Sequence, residues 1–298
     1  MILGATGMLG SSFLNFSKVE VDSMLFSSRQ HQLPQGKWFH FETRDSFEKL
    51  GELDLNQEDL VVNCIGIIKS KIDSNNHRSV REALEVNSIF PLRLADYAET
   101  RGFRVLQIAT DCVFSGSTGF YTENSEHDAL DVYGRTKSLG EVLSPNFMNL
   151  RVSIIGPEIG SGSSLVEWVR NQPKNGVITG FQDHLWNGVT SFNFAQLALG
   201  IFKARLFRSG TYHLVPKDYV TKDELVRLIA ARLERNDLRV ESGNSGHAVN
   251  RTLATSDNNF NNLMWTAAGF DSPPTIGDMV MAMPTRGPLV STRNAEEN

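Results

Sequence analysis

Tyr133-Gly134-Arg135-Thr136-Lys137 sets a phenol and an ammonium four residues apart. On a helix, side chains at that spacing share one face. A nearby ammonium favours the phenolate, so the pair is expected to lower the tyrosine pKa toward general acid/base work. The spacing also occurs by chance among solvated residues, and its weight comes from what precedes it. Thr110 closes the apolar run Arg104–Ala109, where its hydroxyl can hydrogen-bond a substrate carbonyl, and Asp111 and Cys112 follow it. Near the start, Gly4-Ala5-Thr6-Gly7-Met8-Leu9-Gly10 is a GxxGxxG run between an apolar strand and a helix-like segment. Such glycines let the backbone turn tightly and approach a pyrophosphate at a helix N-terminus, although glycine also marks ordinary turns. After the second apolar run, an Asp or Glu would bind ribose hydroxyls and signal NAD(H). This chain has Ser27-Ser28-Arg29 there. Hydroxyls and a guanidinium suit a 2′-phosphate, so NADP(H) is the expected cofactor, with NAD(H) as the alternative. Asn63-Cys64-Ile65-Gly66 ends a further run, where small residues would admit a cofactor ribose, and Asn87 stands early on the next helix.

These residues need a scaffold, and the chain supplies alternating strands and helices. Met1–Leu3, Ser23–Ser27, Lys37–Phe41, Leu60–Cys64, Arg104–Ala109, Leu150–Ile155 and Thr211–Val215 read as strands. Continuous apolar runs such as LVVNC suit strands buried on both faces. Val80 to about Arg101, Tyr133–Leu143, Leu165–Asn171 and Ser191–Leu206 read as helices, the last capped by Thr190 or Ser191. Thr221-Lys222-Asp223-Glu224 is a capping box opening a helix to about Leu233. Phe181–Val189 reads as a loop, and Asp237–Asn262 as polar and poorly periodic. The implied fold is α/β, a Rossmann-type doubly wound parallel sheet with a smaller C-terminal substrate-binding lobe. Residues 1–156 are expected to form the NADP-binding domain, completed by about 191–216. Residues 157–190 and 217–285 would form the substrate lobe, and 286–298 a disordered tail. A central strand of only three residues suggests that native residues precede Met1.

Composition narrows the class. The chain has 298 residues, a hydrophobic fraction of 40%, a charged fraction of 21% and a net charge of −5. That is a globular chain with a core. No basic block suggests nucleic acid, and no apolar run reaches the roughly 18 residues of a membrane span. Cys64 and Cys112 are too few for a disulfide framework, and reduced thiols in a cytoplasmic protein are expected.

Together, GATGMLG, NCIG, EVN, ATDCVFSG, VYGRTKSLGE and LRVSIIG resemble the extended short-chain dehydrogenase/reductase superfamily, and within it the dTDP-4-dehydrorhamnose reductases. They occur in the family's order and cover about half the chain. The resemblance implies a catalytic set of Thr110, Tyr133 and Lys137, supported by Asn87. It implies cofactor contacts from Gly4, Thr6, Gly7, Met8, Leu9, Gly10, Ser28, Arg29, Cys64, Ile65, Gly66, Asn87, Tyr133 and Lys137. The implied reaction is NADPH-dependent reduction of a keto group on a nucleotide-activated deoxysugar, in surface polysaccharide or deoxysugar biosynthesis. A homodimer is the oligomer the superfamily would suggest. The chain departs from the family at Cys112, where Tyr is usual, and no match to the metal-binding acids of some members is present.

The second half resembles the family less. Asp111, Cys112, Trp186 and Arg251 are the expected substrate contacts. Arg251 matches a late family arginine near the substrate diphosphate, against a solvated arginine. Trp186 or Trp168 could stack on a base or sugar, against a core role. His184 reads as a loop residue. Two rivals stay open: an epimerase or dehydratase of the same superfamily, and a non-catalytic regulatory subunit that binds NADP.

Overall fold

The computed structural model describes residues 1–29, 36–45, 47–159, 162 and 164–288. Fourteen strands occur among them. Seven build one parallel sheet: β1 (Ile2–Leu3), β2 (Leu25–Ser28), β3 (Lys37–His40), β4 (Leu60–Asn63), β5 (Arg104–Ala109), β6 (Phe147–Arg151) and, later in the chain, Gly210–His213. The rest are short: β7 (Ile154–Ile155), β8 (Val177–Phe181), β9 (His184–Trp186) and β10 (Val189–Thr190) precede Gly210–His213, which is therefore β11. β12 (Val220–Thr221), β13 (Arg239–Gly243) and β14 (Val249–Asn250) follow it. The large sheet runs β11-β6-β5-β4-β1-β2-β3, so the order reverses between β1 and β4. In such sheets ligands bind outside the carboxyl ends of the strands at that reversal.

Period-2 alternation gives the sheet two cores. Ile2, Val62, Leu106 and Met148 are register partners and lie in one buried cluster. Val61, Val105 and Phe147 are also in register and lie in the other, with Leu3. Each such side chain contributes about 1.5–3 kcal/mol on burial, which is why a two-residue central strand suffices when it is paired on both sides.

Several sequence expectations shift. The helix expected from Val80 to Arg101 is two helices, His77–Leu84 and Phe90–Arg101, joined by a π-helical turn over Glu85–Ile89. The strand expected at Leu150–Ile155 begins at Phe147 and ends at Arg151; Ile154–Ile155 pairs separately with β10. The expected loop Phe181–Val189 holds β9 and the ends of β8 and β10, and the irregular stretch Asp237–Asn262 holds β13 and β14. β9 pairs with β12 and β14, and β8 with β13. The helix over Val132–Leu139 stops before Gly140, short of the expected Leu143. Thr190 is the cap of Ser191–Lys203, accepting from the Asn193 N–H. Residues 289–298 of the expected tail lie outside the described residues. Among the described residues no helix is long and apolar enough to cross a membrane.

A buried polar knot ties the end of β6 to the helix Val132–Leu139. Arg151 donates from Nε and Nη2 to the Glu141 carboxylate at 2.7–3.1 Å, from Nη2 to His127 Nε2 at 2.6 Å and from Nη1 to His213 Nε2 at 3.1 Å. His127 Nδ1 reaches the Ser138 hydroxyl on that helix at 2.6 Å. His213 is fully buried and donates from Nδ1 to the Ala254 carbonyl. Burial drives its pKa down to about 4. The unfolded chain therefore binds this proton more readily than the folded one, and stability falls as pH drops from 6.5 through 4. Between pH 7 and pH 4.5 this group alone should cost about 2 kcal/mol, at 1.36 kcal/mol per unit. Urea unfolding of the wild type and His213→Gln at both pH values measures it: the variant should show the smaller loss.

Candidate functional site

The first wall is the glycine turn after β1. Gly4 has φ +75°, and a Cβ there would meet Ile65 Cγ1 at 2.8 Å. A Cβ on Gly10 would lie 2.3 Å from the Gly4 carbonyl oxygen. The turn therefore closes only with glycine at both positions, which leaves open backbone where a diphosphate could lie. Gly7 caps the helix Met8–Ser11 without any side-chain bond. Thr6 and Gly7 are exposed, while Leu9 packs into the larger core, so its side chain is committed to packing. The turn is fastened to β2, with the Gly4 N–H donating to Ser27 Oγ at 3.0 Å and the Ala5 N–H to the Ser27 carbonyl. Ser28 follows, buried, and then Arg29, exposed.

The second wall follows β4. Asn63 donates to Gln107 Oε1 at 2.7 Å across to β5 and accepts from the Ile65 N–H. Asn87 sits on the π-helical turn, where one extra residue per turn re-aims the side chain. Its Oδ1 accepts from the Ile67 N–H at 2.9 Å, and its Nδ2 donates to the Ile67 carbonyl at 3.0 Å and Thr136 Oγ1 at 3.2 Å. Asn87 is fully buried by these contacts. Its amide thereby braces the loop after β4 against the Val132–Leu139 helix.

The third wall is that helix. Asp131 caps it, accepting from the Gly134 N–H at 2.9 Å, and Ser88 Oγ donates to the Thr136 carbonyl. Tyr133 and Lys137 share its inner face, half-buried and buried respectively. Lys137 Nζ donates to the Ile108 carbonyl at 2.7 Å, next to the end of β5. Thr110, buried just beyond β5, accepts from the Cys112 N–H and donates to Asp111 Oδ1, both at 3.2 Å. Its hydroxyl also neighbours the Tyr133 phenol.

Desolvation decides the proton positions. Burial pushes the Tyr133 phenol up, the Cys112 thiol adds to the rise, and the Thr110 hydroxyl opposes it. The expected lowering by Lys137 is thus reversed: the phenol is held protonated. Burial lowers the Lys137 ammonium to about 8. Both cysteines are free; burial pushes Cys112 up to about 12 and raises Cys64 as well. A reactive thiolate at Cys112 has no support in such surroundings.

A charged cluster adjoins Thr110. Burial raises the Asp111 carboxyl, and Arg251 and then Lys222 oppose that rise. Arg251 donates from Nε to the Phe114 carbonyl at 2.9 Å. The Lys222 ammonium stands 5.5 Å from the Trp186 ring centroid. Trp186 is 5% exposed and donates its indole N–H to Ser153 Oγ at 2.8 Å. Trp186 is thereby a fixed wall beneath Lys222, the core role that the sequence leaves open beside stacking. Trp168 is partly exposed on the helix Leu165–Arg170, and His184 is bonded to Ser245 and the His247 carbonyl. The structure thus gathers Thr110, Asp111, Cys112, Tyr133 and Arg251 as expected from sequence and adds Lys222, which sequence reading had assigned only to a capping box.

Comparisons with known proteins accord with this geometry. The family model described as RmlD substrate binding domain matches residues 1–275. A probable low-salt glycan biosynthesis reductase, Agl14 of Haloferax volcanii, is 28% identical over 255 residues, covering 81% of this chain and 82% of the relative. The dTDP-4-dehydrorhamnose reductase of Bacillus anthracis, solved in complex with NADP, superposes with a TM-score of 0.68 at 17% identity, over 94% and 95% of the two chains. MoeE5, solved with UDP-glucuronic acid and NAD, gives a TM-score of 0.68 at 17% identity, over 95% and 96%.

The lowered Lys137 is measurable. In the cofactor-free protein, ¹³C-methylated Lys137, identified by its loss in Lys137→Met, should titrate near pH 8. Titration above pH 10 would remove the desolvation argument.

Proposed function

This chain belongs to the RmlD substrate-binding-domain family, and on that premise we propose that it is an NAD(P)-dependent reductase of a keto group on a nucleotide-activated deoxysugar, working in glycan biosynthesis with NADPH as its donor. The observation that carries the reading is the Tyr133 phenol beside the Thr110 hydroxyl, with Lys137 on the same helix face, at the carboxyl end of β5. The residues present fit a dinucleotide, because the close packing that only glycine permits at Gly4 and Gly10 leaves the backbone of Thr6 and Gly7 exposed at the turn. When bound, the cofactor supplies hydride to the carbonyl carbon.

The chain's own residues handle the oxygen and its proton. Thr110 turns its one hydroxyl hydrogen from Asp111 to the carbonyl oxygen, stabilising the negative charge that grows there. Tyr133 gives that oxygen its proton, turning C=O into CH–OH, and a phenol held neutral by burial is poised as the acid. Lys137 lies on the same helix face, one turn from Tyr133, and its charge helps the phenol release the proton. Arg251 and Lys222, near Asp111, supply positive charge for an anionic substrate. Ser28 and Arg29 at the end of β2 suit an adenosine 2′-phosphate.

Three substitutions separate these roles. Tyr133→Phe keeps the ring, so folding and NADPH affinity should hold while turnover falls roughly 10²–10⁴-fold. Thr110→Val should lower kcat with cofactor affinity unchanged, and Lys137→Met should cost both. A Tyr133→Phe protein of near wild-type rate on a 4-keto nucleotide sugar would refute the assignment.

Cofactor choice is tested at Arg29. Arg29→Ala should weaken NADPH binding and leave NADH nearly unchanged, measured by fluorescence titration. Equal loss for both, or none, would sink the preference.

A further inference from the structure

Lys222 occupies a place that serves the fold poorly. It is the first residue of the helix Lys222–Arg232, where the helix dipole disfavours a cation. Its neighbours in the capping box already close the helix start, with Thr221 Oγ1 accepting from the Glu224 N–H and Glu224 accepting in return from the Thr221 N–H. Arg251 adds a second repelling positive charge. Yet the ammonium makes no hydrogen bond or ion pair among the described residues; its neighbours are the Trp186 ring at 5.5 Å and, through space, Asp111 and Cys112. Arg251 is bonded through Nε alone, which leaves its two terminal nitrogens without a hydrogen-bond partner among the described residues. Two cations therefore face one buried carboxylate, beside the hydroxyl that is in contact with Tyr133. A desolvated ammonium over a fixed ring, beside a second cation and with its donors unspent, points to a ligand.

Building on the reductase reading, we propose that Lys222 is a specificity-determining residue of the substrate site, its ammonium receiving an anionic oxygen of the substrate together with the terminal nitrogens of Arg251. That oxygen belongs either to the diphosphate of the nucleotide sugar or to a carboxylate on the sugar. The chemistry is shared: a desolvated ammonium against a fixed aromatic wall binds an anion through charge-assisted hydrogen bonds. Trp186 is held by Ser153 and cannot turn away, so the ammonium is presented at a set height above the ring.

Calorimetric titration of the NADP-saturated protein with dTDP, UDP and UDP-glucuronic acid tests this in the wild type, Lys222→Met, Lys222→Gln and Lys222→Arg. The two neutral variants should bind at least one probe roughly 10–100-fold more weakly. Lys222→Arg should stay within a few-fold of wild type, and melting temperatures should hold or rise, since no bond of the fold is lost. Weakening of dTDP or UDP assigns the ammonium to the diphosphate; weakening of UDP-glucuronic acid alone assigns it to the sugar carboxylate. Unchanged binding of all three probes in the neutral variants, or no binding by the wild type, overturns the proposal. NADPH oxidation is read separately. A protein that binds these anions through Lys222 and reduces no keto sugar would sink the reductase reading and leave this one standing.

Discussion

The candidate site hangs on one side-chain amide. Asn87 satisfies both the N–H and the carbonyl of Ile67 and reaches Thr136 as well, so a single buried group locks the loop after β4 to the helix that carries Tyr133 and Lys137. Neither partner would hold its position alone. The loop needs its peptide groups satisfied away from water, and the eight-residue helix is too short to be stable without tertiary contacts. The π-helical turn makes this possible by breaking the α-helical register at the point where the amide must turn inward.

Dehydration is the second organising influence. It raises the phenol and both thiols and lowers Lys137, so each of these groups is biased toward its neutral form. A neutral phenol is suited to giving a proton away rather than taking one.

Much of this was legible in the sequence where local pattern and final environment coincide. β5 matches its expected bounds because an unbroken apolar run needs no distant partner to be recognised. The glycine turn is legible because its positive φ at Gly4 and the contact of Gly10 with the Gly4 carbonyl are local demands on residue type. The expected Leu150–Ile155 strand starts too late because Asn149 looks like a solvent-facing residue, and Arg151 within it shows no sign of its partners. Their burial depends on Val142, Glu141, His127 and His213, which only the fold brings near. The sign of the Tyr133 shift was missed for the same reason: spacing reveals a neighbouring charge, whereas burial is a property of everything around it. Lys222 was hidden behind a capping box, a local explanation sufficient on its own terms.

The stretch Asn250–Ser256 reaches the site by ties that span the chain. Thr252 accepts from the Phe120 N–H, Leu253 bridges to Tyr121, and the Glu123 carboxylate gathers Thr255 and Ser256. These partners lie 132 and 133 residues apart in sequence. The glycine turn, by contrast, closes on Ser27 and Ile65. As the chain leaves the ribosome, those partners emerge well before Asn250–Ser256. The face holding Arg251 waits until the last sixth of the protein has been synthesised. An emerging chain would close the glycine turn before it could close the face that holds Arg251.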